Sequence, residues 1–221
     1  TGYLGRSAIG TREVVGECSR RRVSRGTVQS KRPAVDLQDL FWGSAMESGN
    51  HVMVEAWNTV LYDKFFRFRH LIADGLSRQS DAALEQCAIA AESRVLDVGC
   101  GFGDCTQRIA ERVGPNGAVV GVDCAENFVR IAKAEVPEQF AANVEFVVDD
   151  AAVADLRGPY DHAFSRFGTM FFALPGAAMR NVRGALKPGG TFTQIVWRKR
   201  QDNPWLYEAE LRVKEIVPVV S

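Results

Sequence analysis

The segment VLDVGCGFGDCT, residues Val95–Thr106, combines a carboxylate with three alternating glycines. The residues before Gly99 are apolar apart from Asp97, so a buried strand is predicted to end at the first glycine and a helix to begin near Asp104. Glycines at such a turn allow a ligand to approach the backbone closely, and the free N–H groups at the start of the helix point at that ligand. The segment is therefore predicted to bind a nucleotide-like ligand.

The spacing of this loop is G-x-G-x-G, which differs from the G-x-G-x-x-G of dinucleotide sites. Asp97 lies two residues before the first glycine. A carboxylate at that position repels a pyrophosphate, whereas it accepts hydrogen bonds from an ammonium group or from a water beside one. A ligand with an amino-acid-like end therefore matches the loop. The alternative is that Asp97 only caps the turn that follows.

Further acidic residues follow the next two predicted strands. Asp123 ends the second strand, about 20 residues after the glycines, where a carboxylate can accept both hydroxyls of a ribose. Asp150, preceded by Asp149, follows the third strand and can accept from an exocyclic amine such as adenine N6. Because the carboxyl ends of parallel strands meet at one edge of a sheet, Asp97, Asp123 and Asp150 are predicted to face one ligand.

The composition of the 221 residues is that of a globular protein, with 46% hydrophobic and 24% charged residues. Lys plus Arg and Asp plus Glu both number 27, which disfavours a nucleic-acid partner because no bulk basic field exists. No apolar run approaches the roughly 20 residues of a membrane span and no signal peptide is visible, so we expect a cytoplasmic protein without a membrane partner. The five cysteines and three histidines lack metal-ligand spacing, so no metal site is expected.

Three regions differ in pattern. Residues 1–33 are rich in Gly, Ser and Arg and are predicted to be a disordered basic tail. Residues 34–91 are predicted to be a helical extension or lid, in which one helix is capped by Ser80 or Asp81. Residues 92–221 alternate strands (94–98, 118–123, 144–148, 160–165 and 191–197) with helices (104–113, 126–136, 175–186 and 203–217). This alternation predicts an α/β fold, a Rossmann-like three-layer sandwich with a mainly parallel sheet.

From about Trp57 to about Leu211 the chain resembles the class I S-adenosylmethionine-dependent methyltransferases. Within them it is similar to the bacterial small-molecule group related to the ubiquinone/menaquinone-biosynthesis methyltransferases. VLDVGCGFGDCT resembles the first motif of the family, VVGVDCAENFVRIAKA the segment that ends the second strand, and VEFVVDDAA the adenine-contacting turn. YDHAFSRFGTMFF resembles the fourth-strand motif, LKPGGTF the turn into the fifth strand, and WRKRQDNPWLYEAE the segment that often follows. The order of these motifs makes the resemblance specific.

The resemblance implies the cofactor S-adenosyl-L-methionine and a set of residues that bind it. The glycine loop would hold the methionine end, Asp123 the ribose hydroxyls and Asp150 the adenine N6, with Cys124 beside the adenine and the Ala151 N–H at ring N1. Ser165, Arg166 and Phe167 would line the floor between cofactor and acceptor, under a lid around Trp57 and Tyr62. The expected cofactor-binding residues are Asp97, Gly99, Cys100, Gly101, Asp123, Cys124, Asp150, Ala151, Ser165 and Phe167.

No catalytic residue is assigned, because methyl transfer from such a cofactor depends mainly on positioning. His162, His70 and Tyr62 are candidate bases, each with packing as the alternative. Arg166 either binds an acidic group of the substrate or pairs with a nearby carboxylate. Cys100 is expected to be a small packing residue rather than a nucleophile.

Two features depart from the family pattern. The family usually continues after the fifth strand with a helix and an antiparallel hairpin, and this chain ends at Ser221. We therefore expect the core to lack that hairpin, to be C-terminally truncated, and to leave the strand at 191–197 as an uncovered edge. The segment between Asp150 and Tyr160 also lacks the usual Pro-aromatic pair.

The function expected from this resemblance is methyl transfer from S-adenosylmethionine to a small-molecule acceptor. One alternative is a module, or an inactive methyltransferase fragment, that only binds the cofactor. Another is an NAD-dependent oxidoreductase, which the G-x-G-x-G spacing and Asp97 disfavour. The sequence defines neither the acceptor nor the oligomeric state, because acceptor pockets vary independently of the cofactor motifs.

Overall fold

The computed structural model describes residues 11–14 and 51–216. Strand β1 (Thr11–Val14) comes first, and three helices follow, α1 (His51–Asn58), α2 (Val60–Arg67) and α3 (Arg69–Gln86). Strands and helices then alternate: β2 (Arg94–Val98), α4 (Asp104–Val113), β3 (Ala118–Asp123), α5 (Glu126–Glu135), β4 (Val144–Val148), β5 (Tyr160–Arg166), α6 (Pro175–Gly184), β6 (Leu186–Ile195) and α7 (Pro204–Ile216).

The six strands form one sheet in the order β1-β6-β5-β2-β3-β4, and every described pair is parallel. This confirms the predicted α/β Rossmann-like class. From β2 the chain first builds outward through β3 and β4, and then returns to place β5 and β6 on the other side of β2. Such a reversal opens a crevice at the carboxyl ends of β2 and β5, where α/β sheets bind ligands.

The central strands are buried on both faces, as their continuous apolar runs require. On one face Val95 packs in a cluster with Leu84 of α3 and Ile109 of α4. On the other face Leu96 packs in a cluster with Tyr160 and with Val182 of α6. Helices thus cover the sheet on both sides and make three layers. None of the helices within residues 51–216 combines the length and the hydropathy needed to cross a membrane.

The outer edge of β6 carries a partner strand. The backbone of β1 pairs with β6 in parallel, from Thr11 beside Phe192 to Val14 beside Ile195. The prediction of a disordered tail over 1–33 is therefore wrong at residues 11–14, and the prediction of an uncovered edge is wrong as well. An edge strand exposes a row of unpaired backbone N–H and C=O groups, and pairing with even a short strand satisfies them. Residues 15–50, and the predictions made for them, lie outside the described residues.

Two predicted boundaries also differ from the structure. Helix α3 is continuous from Arg69, and Ser80 lies inside it, fully buried, with its hydroxyl donating to the Leu76 carbonyl at 3.1 Å rather than capping a new helix. Strand β6 begins at Leu186, earlier than the predicted start at 191, because Leu186 pairs with Tyr160 across a register shift in β5.

Candidate functional site

The glycine loop between β2 and α4 has a backbone that other residues adopt rarely. Gly99, Gly101 and Gly103 have φ values of 71°, 55° and 82°. A Cβ at Gly99 would lie 2.9 Å from the Cα of Gly168, in the segment after β5. The N–H groups of Gly99 and Cys100 both donate to the Val122 carbonyl, at 2.8 and 3.1 Å, which fixes the loop to β3. Glycine is therefore required at position 99 both for conformation and for close packing.

Asp97 lies beneath this loop and is only 1% exposed. Its Oδ2 accepts a hydrogen bond from the Thr106 hydroxyl at 2.6 Å. Burial raises the pKa of Asp97 from 3.8 to about 6, while the Thr106 hydrogen bond and the Arg166 charge act in the opposite direction. A buried carboxylate of this kind is stabilised by a cationic group in the adjoining space.

Asp123, at the end of β3, is held by two backbone groups. Its Oδ2 accepts from the Gly101 N–H and its Oδ1 from the Ala125 N–H, both at 2.9 Å. Burial raises the pKa of Asp123, and these two hydrogen bonds partly offset that rise. Each carboxylate oxygen can accept a further hydrogen bond, so the side chain is oriented and still able to receive two donors from a ligand.

Asp150 and Ala151 follow β4 at the same edge of the sheet. The N–H of the preceding Asp149 donates to the Asp123 carbonyl at 3.0 Å, which holds this turn beside β3. Asp150 Oδ1 accepts from the Ala152 N–H at 2.9 Å. Below them, the Asn181 amide donates to the Ala151 carbonyl at 3.0 Å. The turn therefore has a defined shape next to Asp123.

A cavity of about 650 Å³ lies between these strand ends and helices α1–α3. The structure brings nine of the ten predicted cofactor-binding residues to it: Asp97, Gly99, Cys100, Gly101, Asp123, Cys124, Asp150, Ala151 and Phe167. Ser165 is not among the lining residues. It is fully buried, and its hydroxyl donates to the Val98 carbonyl at 2.7 Å, so its side chain links β5 to β2 instead. We call Asp97, Asp123 and Asp150 the acidic wall of the cavity.

Aromatic rings line another part of the same cavity, and the sequence predicted two of the four described below, Trp57 and Phe167, as site residues. The predicted lid residue Trp57 lines it, with its ring centroid 5.0 Å from that of Phe171. Phe167 stacks on Trp197, with centroids 4.5 Å apart and planes at 18°. We call Trp57, Phe167, Phe171 and Trp197 the aromatic wall. Trp197 follows β6 within the quoted segment WRKRQDNPWLYEAE, which was the one signal that could have identified it.

Two arginines also line the cavity. Arg166, at the end of β5, has an ion pair with Asp104 at 3.6 Å and donates to the Ser80 hydroxyl at 3.3 Å. Arg69 approaches the same Asp104 at 3.7 Å and pairs more closely with Glu135, at 2.6 Å. One carboxylate is thus shared by two guanidinium groups. Of the two alternatives for Arg166, the structure shows the carboxylate pair.

Residues 89–215 match the family model described as a methyltransferase domain. The chain belongs to this methyltransferase family. It is 36% identical over 128 residues to demethylmenaquinone methyltransferase of Lactococcus lactis, a match that covers 58% of this chain and 51% of that protein. It is 41% identical over 98 residues to nocamycin O-methyltransferase of Saccharothrix syringae, covering 43% of this chain and 35% of that protein. The match therefore spans about half or less of these curated relatives.

Among solved structures, the domain resembles magnesium protoporphyrin IX methyltransferase from Synechocystis PCC 6803 with bound SAM. The TM-score is 0.50 and the identity 17%, over 62% of this chain and 72% of that chain. This likeness shows the shared fold. Together with the family match, it confirms the resemblance that the ordered motifs indicated.

The candidate bases do not reach the cavity of this methyltransferase domain. His162 is 3% exposed, does not line the cavity, and places Nδ1 2.5 Å from the Thr191 hydroxyl. His70 is exposed outside the cavity, and Tyr62 packs edge-on against Phe128 with centroids 5.4 Å apart. The packing alternative thus holds for His162 and Tyr62.

The thiols of the methyltransferase domain are also poor bases or nucleophiles. Burial raises the pKa of Cys100 above its ordinary value and that of Cys124 to about 12, so both remain protonated at neutral pH. Cys100 is buried and acts as a packing residue. Within residues 51–216, no three His, Cys, Asp or Glu side chains are grouped so that they could hold a metal ion.

Proposed function

We propose that this methyltransferase domain binds S-adenosyl-L-methionine at the acidic wall and transfers its methyl group to a small-molecule acceptor. The observation that carries the proposal is the joint placement of the glycine loop, Asp97 and Asp123 around one cavity. When bound, the cofactor supplies a methyl group on a positively charged sulfur, which leaves as a neutral thioether. The protein itself has to bind, orient and exclude water.

The residues of the glycine loop suit the amino-acid end of this cofactor. Asp97 provides a buried negative charge next to the cavity, which complements an ammonium group. The absence of side chains at Gly99 and Gly101 leaves the backbone accessible, and the start of α4 offers N–H groups for a carboxylate. A pyrophosphate in the same place would face the Asp97 charge, so a dinucleotide fits less well.

The remaining acidic residues suit the nucleoside. Asp123 is oriented by two backbone N–H groups so that its free lone pairs can accept both ribose hydroxyls. We assign Asp150 to the adenine amine, the Ala151 N–H to the neighbouring ring nitrogen and Cys124 to the side of the ring, and all three residues line the cavity. These assignments give each end of the cofactor a partner of complementary charge or hydrogen-bonding type.

The acceptor side supports a small molecule. Helices α1 and α3 contribute Trp57, Arg69 and Leu76 to the lining, so the strand ends form the floor of a concave pocket of the kind that binds small molecules. The names of the relatives from Lactococcus lactis and Saccharothrix syringae refer to small-molecule methylation. The balanced charge of the chain adds no reason to expect nucleic acid as the substrate.

A thermal-shift experiment tests cofactor binding. We expect S-adenosylhomocysteine and S-adenosylmethionine to raise the Tm, because a ligand at 100 times its Kd adds about 2.7 kcal/mol to the free energy of unfolding. NADH at the same concentration is the control and is expected to leave the Tm unchanged. A folded sample that shows no shift at millimolar S-adenosylhomocysteine, or that shifts with NADH instead, would contradict the proposal.

Methyl transfer itself is tested with labelled S-adenosylmethionine and a panel of quinols, phenols, carboxylic acids, amines and fatty acids. The expected result is label in at least one organic-soluble product. Cofactor binding without labelled product from any acceptor would favour a domain that binds S-adenosylmethionine without turnover.

A further inference from the structure

The two walls of the cavity have different chemistry, and the side chains of the aromatic wall indicate the chemical class of the acceptor. Its members are Trp and Phe, which present apolar ring surface and no hydroxyl. Trp57 meets Phe171 edge-on, and Phe167 lies flat on Trp197, so this part of the cavity boundary consists of two packed ring pairs. Such a boundary favours a flat, π-conjugated ligand over a flexible polar one.

The backbone at Phe167 supports a role in binding. Phe167 has φ 59°, in the left-handed region that bulky residues rarely adopt. Its N–H donates to the Ile195 carbonyl at 2.8 Å, which holds the residue beside the end of β6. The residue with this uncommon backbone is the one whose ring stacks on Trp197 at the cavity surface, and such conformations cluster at functional sites.

Arg166 lies next to Phe167 in the chain and also lines the cavity, where its charge lowers the pKa of Asp97. Its side chain is 15% exposed, so the guanidinium group has lost most of its water. The Asp104 carboxylate at 3.6 Å is farther away than the 2.7–2.9 Å of a charge-assisted hydrogen bond and is shared with Arg69. A guanidinium group has five N–H donors, so Arg166 can still receive an oxyanion in a bidentate arrangement.

The described lining offers carboxylates but none of the nitrogen or phenol side chains that usually act as bases. Among the described residues that form the cavity there is no histidine, lysine or tyrosine. The thiols of Cys105 and Cys124 stay protonated because burial raises the pKa of each to about 12. The Asp104 carboxylate is already paired with two guanidinium groups, those of Arg69 and Arg166. An acceptor that arrives already ionised needs none of these groups as a base.

We propose that the acceptor is a planar aromatic molecule carrying an ionised acidic oxygen, a carboxylate or an acidic phenolate or enolate, which Arg166 binds while the ring lies against the aromatic wall. The inference rests on the proposed methyl-transfer function and names its substrate class. An electron pair of the oxyanion forms the new O–CH₃ bond, the C–S bond breaks with its pair retained by sulfur, and no proton is removed.

Binding of matched probes tests the charge requirement without knowledge of the natural acceptor. Naphthalene-2-carboxylate, naphthalene-2-carboxamide and 2-naphthylmethylamine share one ring system and differ in charge, and cyclohexanecarboxylate keeps the charge without the aromatic ring. Each is titrated calorimetrically into the full chain, with and without saturating S-adenosylhomocysteine. We expect the naphthoate to bind at least about tenfold more tightly than the other three, as a bidentate ionic contact allows.

Variants assign the preference to Arg166. Arg166→Gln is expected to remove the preference for the naphthoate over the amide, and Arg166→Lys to retain part of it. Arg108→Gln is the matched control, because Arg108 also links α4 to α3, through Asp81, but does not line the cavity. Circular dichroism and the Tm of each variant show whether it has folded.

Each outcome decides the proposal. Equal or tighter binding of the amide, the amine or the cyclohexane acid, no binding of any probe up to its solubility, or an unchanged preference in folded Arg166→Gln would overturn it. If Arg166→Gln fails to fold, the result for Arg166→Lys decides, since a preference fully equal to that of the parent chain would exclude a guanidinium-specific contact. Failure of S-adenosylhomocysteine to bind, with the naphthoate preference intact, would contradict the proposed function instead.

Discussion

The acidic wall and the aromatic wall face one cavity but are built in different ways. The acidic wall consists of residues at the ends of three neighbouring strands, and backbone hydrogen bonds such as those from Gly101 and Ala125 to Asp123 hold it in place. The aromatic wall joins side chains from α1, from the segment after β5 and from the segment after β6. It depends on ring packing, for example of Trp57 against Phe171.

This difference in construction matches the two ligands of the proposed reaction, the methyl donor and the methyl acceptor. A backbone framework gives the acidic wall a fixed hydrogen-bonding pattern, which suits one unchanging methyl donor. Side chains from separate segments can change without altering that framework, which suits an acceptor specific to the individual protein. Changes in the acidic wall are therefore expected to affect cofactor binding, and changes in the aromatic wall to affect acceptor binding.

The largest effect is expected at Gly99. A methyl group there would lie 2.9 Å from the Cα of Gly168 on a backbone with φ 71°. Gly99→Ala should lower the free energy of unfolding by about 2–3 kcal/mol and weaken S-adenosylhomocysteine binding by at least about a hundredfold. Urea unfolding and calorimetry measure both quantities. The control is Gly184→Ala in α6, where the added methyl meets nothing within 4 Å, and equal behaviour of the two variants would contradict the account.

Asp97→Asn should stabilise the folded domain near neutral pH and at the same time weaken binding of S-adenosylhomocysteine. The pKa of Asp97 is raised from 3.8 to about 6, so the folded state holds this proton more tightly than the unfolded chain and stability falls as pH rises through that window. The asparagine variant has no proton to lose at this position. Between pH 4 and pH 7.5, its free energy of unfolding relative to that of the parent chain should therefore rise by up to about 3 kcal/mol. Its affinity for S-adenosylhomocysteine should fall about tenfold or more, since the ammonium group loses its carboxylate partner.

The pH dependence gives the second readout of Asp97. S-adenosylhomocysteine should bind the parent chain less tightly as the pH falls below about 6, and binding to Asp97→Asn should lack this dependence. Asp74→Asn, at an exposed position of α3, is the control and should behave like the parent chain. A parent chain whose unfolding free energy rises from pH 4 to pH 6 in step with Asp97 ionisation would contradict the assignment.

Trp197→Leu tests the opposite wall. Removing the ring that stacks on Phe167 should weaken binding of naphthalene-2-carboxylate by about tenfold, because an aromatic pair and buried ring area are lost. The affinity for S-adenosylhomocysteine should remain within about twofold, since Trp197 lies outside the acidic wall. A large loss of cofactor binding with little change for the naphthoate would show that the two walls do not divide the ligands in this way.

The smallest effect is expected in helix α3. Gly75 lies in the middle of α3, and an added methyl group there meets nothing within 4 Å. Gly75→Ala should raise the free energy of unfolding by about 0.5–1 kcal/mol through helix propensity. Thermal unfolding measures this. A decrease would mean that α3 changes its packing at this residue.

The contrast between the walls also explains what the sequence could predict. Asp97, Gly99 and Asp123 follow strands whose apolar runs are evident, and parallel pairing brings such strand ends together without any knowledge of side-chain packing. By contrast, Trp197 lines the cavity in a stack with Phe167, a residue with a left-handed backbone. Nothing in the local spacing predicts such a contact.

Two incorrect predictions, for residues 11–14 and for Ser80, also result from contacts between segments that are distant in the chain. The pairing of Thr11–Val14 with β6 joins segments far apart in the chain, so the local composition of a Gly-, Ser- and Arg-rich stretch did not indicate it. Ser80 has the residue type of a helix cap, but its burial under Arg166 and its bond to Leu76 depend on tertiary packing. Long-range contacts override local preference at both places.

Calorimetric titration of S-adenosylhomocysteine into the parent chain, Asp123→Asn and Glu126→Gln at pH 7.5 tests the central claim most directly. Asp123 orients two acceptors toward the cavity, whereas Glu126 is an exposed carboxylate three residues later in the chain that does not line it. We expect one binding site in the parent chain and in Glu126→Gln, and affinity at least about a hundredfold weaker in Asp123→Asn, as two charge-assisted hydrogen bonds imply. Absence of binding to the folded parent chain at millimolar ligand, or equal affinity in Asp123→Asn, would contradict it.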